Sequence, residues 1–446
     1  MNAAPAEQST SRPWRPTRAL RRGGALATVP LLAAVLIGQV ELVLLAVPFA
    51  VGTALSLARR PVAEAQPSLS LDQPTSVENG EVSARVQVAR GDDRVPLLCV
   101  VNTEVSEWIR LRHGAGHFAS LLREADTSTV RLTGTAKRWG PQRIGPATVR
   151  LSACDGLLVA ERTALPAAPL SVYPLTDMFD SEEMLPRASG VSGIHRSRRP
   201  GTDGELADVR LFQVGDRLRR INWRVTQRTG DIHVNSTLSE RDADVVLVLD
   251  SRHEAGVSGG VDGPDSVADA TVRAAAAITD YYTRQGDRVA LVEFGARLRR
   301  LRAGTGRRQL LAALEWLVRL DIDVRNVGRA YAPGGRLFST VLQPPGALVV
   351  VLTPMLDAES ANMLAVLVRT GRSMVAVDTL PERIRPAYHG PWSPAGARLW
   401  RLERENIIDR LRGVGVPVEP WRGRGSLDQM LRHVSRLAVT SRVLAR

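Results

Sequence analysis

The chain has almost no lysine. Lys137 is the single one, so arginine carries nearly all of a formal charge of +13. A skew that extreme follows from a GC-rich genome more readily than from selection for phosphate contacts. Aromatic residues make up only 4% of the chain, too few to interleave with the arginines as base-stacking platforms. Nucleic-acid binding therefore rests on basicity alone and is the weakest of three function classes. Cysteine is as scarce: Cys99 and Cys154 argue against a disulfide framework and fit buried thiols in a reducing compartment, with one bridge left open. No P-loop, G-x-S-x-G elbow, H-E-x-x-H or C-x-x-C occurs, which leaves catalysis without a sequence signal. His113 and His117 are four apart, but Gly114 and Gly116 oppose the helix that would align them. They read as loop histidines rather than metal ligands.

What the chain does have is a long apolar run, Gly23 to Ala58, interrupted only by Gln39 and Glu41. As one helix it would be about 54 Å long against a hydrocarbon core of about 30 Å. The break at Gly38-Gln39-Val40-Glu41 instead divides it into two short spans, a transmembrane hairpin over 23–60 behind a basic tail, 1–22. Arg21 and Arg22 precede the first span and Arg59 and Arg60 follow the second, which puts both ends and the soluble bulk in the cytoplasm, as a multi-pass protein of the cell membrane. A single span or a re-entrant anchor is the competing arrangement. A signal peptide cleaved near Ala63-Glu64-Ala65 would need a far shorter apolar core.

At 446 residues the remainder is long enough for two soluble domains. From 66 to 173 apolar residues alternate (Val82, Ala84, Val86, Val88; Val149, Leu151) between Gly, Pro and Asp turns, which predicts a small antiparallel β-sandwich. Residues 174–209 form a basic linker rich in Arg, Ser, Gly and Pro. After a signature segment over 210–243, residues 244–446 alternate strand and helix. Helices are expected near Val267–Thr283, Arg307–Leu320, Glu359–Thr370 and from Leu427, and strands at Val245–Leu249, Val289–Phe294, Ala347–Leu352 and Met374–Val377. That pattern predicts a doubly wound parallel sheet, and the whole chain is α/β in class.

The stretch from Arg210 to Ser251 is the most informative. Gly215-Asp216 starts a turn or helix, and Asp216 lies three and four residues before Arg219 and Arg220, within pairing reach on one helical turn. Ile221 and Trp223 follow as apolar anchors, then a Thr229-Gly230-Asp231 turn. The strand Val245–Leu249 ends at Asp250 and Ser251, on the sheet edge where open α/β sheets bind ligands. Arg210, Gly215, Asp216, Arg219, Arg220, Asn222, Trp223 and Gly230 admit two compatible readings. They are a polar brace with Trp223 buried, or a partner-docking surface, since Arg and Trp dominate binding hot spots.

The pattern G-D-x-L-R-x-I-N-W from Gly215 to Trp223, the following Thr229-Gly230 and the strand ending in Asp250-Ser251 resemble the family named domain of unknown function 58. Arg143-Ile144-Gly145-Pro146, Asp155-Gly156-Leu157 and Val172-Tyr173-Pro174 resemble the β-rich region and linker before its signature, so the resemblance runs over roughly residues 24 to 440. It implies a von Willebrand factor A-like domain and association with MoxR-type AAA ATPases. Such domains often hold a divalent cation through a D-x-S-x-S loop, a threonine and an aspartate. Here Arg252 and Glu254 replace both serines and Pro354 stands where the last loop often has aspartate. Asp250, Ser251 and Thr305 are then a degenerate set, with no cofactor expected. A guanidinium at 252 would pair with Asp250 and take the cation's place.

The expected function is a non-catalytic, membrane-anchored adaptor at the cytoplasmic face, linking a MoxR-type ATPase to a protein client. The alternative is a metal-dependent or hydrolytic enzyme built on Asp250, Ser251, His253 and Glu254.

Overall fold

In a computed structural model the described residues are 14–61, 66–89, 95–113, 116–122, 127–176, 206–212, 221–237, 244–295, 298–320, 347–369, 374–382, 384, 393–423 and 426. They divide into two compact units, Met1–Tyr173 and Pro174–Arg446, each with its own core.

In the first unit Thr17 sets the start of helix α1 (Arg18–Ile37), its hydroxyl accepting from the Leu20 amide. The helix therefore begins five residues before the Gly23 expected from hydropathy. Gly38, at φ 74°, ends it and donates to the Ala34 carbonyl, a left-handed cap that glycine adopts without a Cβ penalty. Helix α2 (Glu41–Ala58) follows the polar break. Both helices are long and apolar enough to cross a membrane, and nearly all of that apolar surface faces outward.

The alternating strands form two sheets around one core. Gln66–Leu71, Glu81–Ala89, Thr127–Ala136 and Ile109–Leu111 pair antiparallel in one. The other is built on the long strand Gly140–Ala153, which carries Leu97–Val105 and Ala168–Tyr173. Val82, Ala84, Val86 and Val88 from the first sheet and Cys99, Val101, Val149 and Leu151 from the second share one hydrophobic cluster, as period-two alternation requires. Both cysteines are free and buried, and burial pushes the Cys99 thiol up to about 11. His113 and His117 are exposed, and His117, expected in a loop, opens the strand His117–Leu122 opposite Asn102.

The hairpin base is bound to this sandwich. The Thr17 amide donates to the Leu157 carbonyl (2.9 Å) and its hydroxyl to the Gly156 carbonyl (2.8 Å). Ser56 Oγ donates to Asp155 Oδ2 at 2.7 Å, and Cys154 Sγ lies 3.6 Å from the Arg59 carbonyl. Arg15–Pro16 adds a short strand against Leu158–Val159, while Trp14, Leu20 and Leu57 pack onto the core.

The second unit opens with an antiparallel pair, Leu206–Leu211 and His233–Thr237, bridged by helix α3 (Trp223–Thr229). Among the described residues its main sheet has six strands. The central β1 (Asp244–Asp250) lies between β2 (Arg288–Phe294) and β4 (Leu348–Thr353), parallel to both. Beyond β2 runs β3 (Arg300–Gly304), antiparallel, and beyond β4 run β5 (Met374–Asp378) and β6 (Val418–Pro420), parallel. Helices α4 (Val267–Arg284), α5 (Gly306–Val318), α6 (Ala358–Arg369) and α7 (Ser393–Gly413) connect them. β1 and β4 are buried along almost their whole length, hence their unbroken Val/Leu runs. The antiparallel β3, and α7 with β6, were not expected from sequence, and the helix expected from Leu427 lies outside the described residues.

Candidate functional site

At the carboxyl end of β1 the chain places Asp250, Ser251 and Arg252, each at most 5% exposed. Arg252 turns back onto Asp250, with Nε 3.0 Å from Oδ1 and a terminal nitrogen 3.1 Å from Oδ2. The same guanidinium reaches the start of α6. It contacts both oxygens of Asp357 (3.0 and 3.1 Å), Glu359 Oε2 (3.1 Å) and Ser360 Oγ. Its plane lies over the Phe294 ring at 4.3 Å. Asp250 Oδ2 also accepts from the Thr353 hydroxyl at 2.8 Å, and Ser360 Oγ lies 2.8 Å from it.

Asp357 is brought there by the β4–α6 turn, in which Met355 takes left-handed backbone (φ 51°). Asp357 then caps α6 by accepting from the Ser360 amide at 2.9 Å, the ordinary role of aspartate at a helix start. His253 Nε2 sits 2.9 Å from Asp357 Oδ2. Five side chains from three segments thus converge on one guanidinium.

The electrostatics follow from this crowding. Burial works against the Arg252 charge, but Asp250, Asp357 and Glu359 outweigh it and hold the guanidinium above its ordinary value. Burial would likewise raise Asp357, yet hydrogen bonds from His253 and Ser360 and the nearby Arg252 charge hold it well below the usual carboxylate range. The Asp357 hydrogen bond raises His253, partly opposed by burial.

The cation set expected from the degenerate loop does not fit a metal. The oxygens of Asp250 are taken by Arg252, Thr353 and Ser360, and a guanidinium at hydrogen-bond distance repels a divalent ion. Thr305 is not part of the cluster. It follows β3, whose Gly304 lies opposite Val289, whereas Asp250 lies opposite Phe294. Five residues of strand, about 16 Å, therefore separate the two sheet edges. The antiparallel course of β3 is the physical reason.

The residues of a hydrolytic site are also dispersed. Ser251 Oγ donates to Glu293 Oε1 at 3.0 Å, while His253 turns to Asp357. Glu254 accepts from the Ala268 amide at the start of α4 (3.3 Å).

In the signature segment, Gly215, Asp216, Arg219 and Arg220 lie outside the described residues. Arg210 pairs in register with Val234. Asn222 caps α3, its Oδ1 accepting from the Val225 amide at 3.2 Å and its own amide donating to the His233 carbonyl. Gly230 closes the helix at φ 78°. Ile221 is half-buried and bridges to Val234. Trp223, expected to be buried in the brace reading, is 65% exposed. As the first residue of a helix seated through Asn222 and Thr226, it is carried on the outward side.

Residues 208–384 match the family model described as "Protein of unknown function DUF58". The uncharacterized proteins Rv1480 of Mycobacterium tuberculosis and Mb1516 of Mycobacterium bovis are each 37% identical over 119 residues, 26% of this chain. The match covers 36% of each, so the chain spans about a third of the length of these curated relatives. Among solved structures, a type II cohesin domain from the cellulosome of Acetivibrio cellulolyticus aligns over 24% of this chain and 94% of its own, with 9% identity and a TM-score of 0.17. WR4, a C. elegans MSP family member, aligns over 25% and 100%, with 9% identity and a TM-score of 0.16. At such scores neither carries an argument.

Proposed function

Since residues 208–384 make this a chain of the DUF58 family, we propose that it is a membrane-anchored, non-catalytic adaptor that docks a MoxR-type AAA ATPase and a protein client. The observation that carries this reading is the exposed Trp223, held on a capped helix inside the family segment. An exposed tryptophan flanked by the exposed Arg224 and Arg228 has the composition of an interface hot spot. The sheet edge where an α/β domain ordinarily binds small ligands is filled by Arg252, which supports scaffolding over chemistry.

The domain is read as von Willebrand factor A-like and doubly wound. Support comes from the central parallel strand ending in Asp250 and from strand order β3-β2-β1-β4-β5-β6. The membrane reading, two spans with both soluble units on the cytoplasmic side, is supported by α1 and α2 and by arginines at both ends of the pair.

The test is direct binding of purified full-length protein to a purified MoxR-type ATPase with ATP and Mg²⁺. Trp223→Ala is expected to weaken the complex by tenfold or more, on the order expected of a hot-spot residue, with an unchanged unfolding temperature. The wild-type protein alone is expected not to hydrolyse ATP. Absence of wild-type binding, or equal binding by the folded variant, would refute the docking role.

A further inference from the structure

The hairpin base concentrates charge that the adaptor reading uses only to orient the two spans. Arg18, Arg21 and Arg22 stand in the first turns of α1, and Arg59 and Arg60 follow α2 directly; all five are exposed. None enters an ion pair among the described residues, whereas the neighbouring Arg15 pairs with Glu161. The five converge because both helix ends are fastened to one short turn. Thr17 bonds Gly156 and Leu157, Ser56 bonds Asp155, and Cys154 meets the Arg59 carbonyl.

A second observation points to the same place. On the outward face of the sandwich Leu98 and Leu121 are 42% and 48% exposed and pair directly across their strands. Leu98 also lies opposite Ser152, two residues before Cys154, so this exposed apolar pair is carried next to the strand that leads into the hairpin turn. Arginines and exposed leucines at one end of a domain are the composition of a surface that meets headgroups and the acyl boundary together.

We propose that this junction binds the phosphates of anionic phospholipids and seats the β-sandwich on the bilayer. The proposal rests on the reading of α1 and α2 as membrane spans. Guanidinium forks match phosphate oxygens bidentately, and basic residues beside a span are drawn to an anionic leaflet. Because the turn Cys154–Gly156 fixes the hairpin to the sandwich, headgroup binding stabilises the folded unit and not the span alone.

The experiment reconstitutes the full chain in nanodiscs of phosphatidylcholine, with or without phosphatidylglycerol, and follows thermal unfolding. Phosphatidylglycerol is expected to raise the unfolding temperature by about 5 °C, an effect reduced at high salt. Replacing Arg18, Arg21, Arg22, Arg59 and Arg60 by Gln is expected to abolish the shift while the protein still enters the discs. Equal wild-type temperatures in both lipids, or a shift retained in the five-fold variant, would overturn the site. The same shift from inorganic phosphate in phosphatidylcholine discs would overturn its assignment to lipid. If the five-fold variant does not insert, mass spectrometry of lipids retained by wild-type protein from mixed membranes decides: enrichment of phosphatidylglycerol supports the site, and the bulk ratio overturns it. A wild-type chain that alkaline carbonate strips from native membranes would refute the spans themselves, a separate failure.

Discussion

Arg252 is the residue on which the carboxyl edge of the second unit depends. A buried guanidinium faces Asp250, Asp357 and Glu359, and removing it would strand the fully buried Asp250 carboxylate without its countercharge, whatever the net worth of the intact cluster. Arg252→Ala is therefore expected to cost about 3–5 kcal/mol in denaturant unfolding of the full-length protein. Arg252→Lys should recover only part, since a point charge cannot reproduce the planar contacts to two carboxylates. His253 and Asp357 add a pH dependence with a definite sign. The folded state raises His253 above 6.5, so its contribution is complete below that pH and is lost as pH rises through the raised value. Asp357 is lowered from 3.8, so its contribution is present above that pH and lost as acid approaches the lowered value. Stability measured against pH should therefore decline on the alkaline side of 6.5 in the wild type, and His253→Gln should flatten that decline.

Elements are where sequence reading succeeded and failed for identifiable reasons. Val245–Leu249, Val289–Phe294 and Ala347–Leu352 were legible as buried parallel strands because β1 and β4 carry unbroken apolar runs and β2 is apolar apart from Arg288 and Glu293. The pairing of Arg252 with Asp250 was legible because the two are close in sequence. Asp357 and Ser360 were not, since more than a hundred residues separate them from Asp250 and only the β4–α6 turn closes the distance. β3, Arg-Leu-Arg-Ala-Gly, has no apolar run and runs antiparallel, and overlooking it put Thr305 at the wrong sheet edge. α7 was hidden by its arginines, although Ile408 and Leu411 on it are buried. Trp223 suits both readings of the signature, since hydrophobicity favours the buried brace and hot-spot composition the docking surface, and its position at the start of a capped helix leaves it exposed. That cap is itself testable. Asn222→Ala removes the acceptor for the Val225 amide and should destabilise α3 by about 1 kcal/mol. Hydrogen exchange should speed up severalfold across Trp223–Thr229 while global unfolding is unchanged.

For the molecule as a whole, the question is whether the apolar hairpin is only a tether for the sandwich. A tether would leave the sandwich unaffected when removed. Here Trp14, Leu20 and Leu57 pack against the sandwich core, the Arg15–Pro16 strand extends its larger sheet, and Thr17 and Ser56 fasten the turn that follows Ala153. The second unit has a separate core of its own, with Val248, Val292 and Val351 at its centre. Shortening the chain to begin at Pro67 keeps nearly all of the sandwich strands but deletes those three partly buried side chains, worth together on the order of 3 kcal/mol. The sandwich transition should then fall by on the order of 10 °C. The transition of the second unit, identified by its sensitivity to Arg252→Ala, should stay in place. Calorimetry of the full and shortened chains separates the outcomes: a sandwich transition at an unchanged temperature would show that the hairpin lends it no stability and acts as a tether.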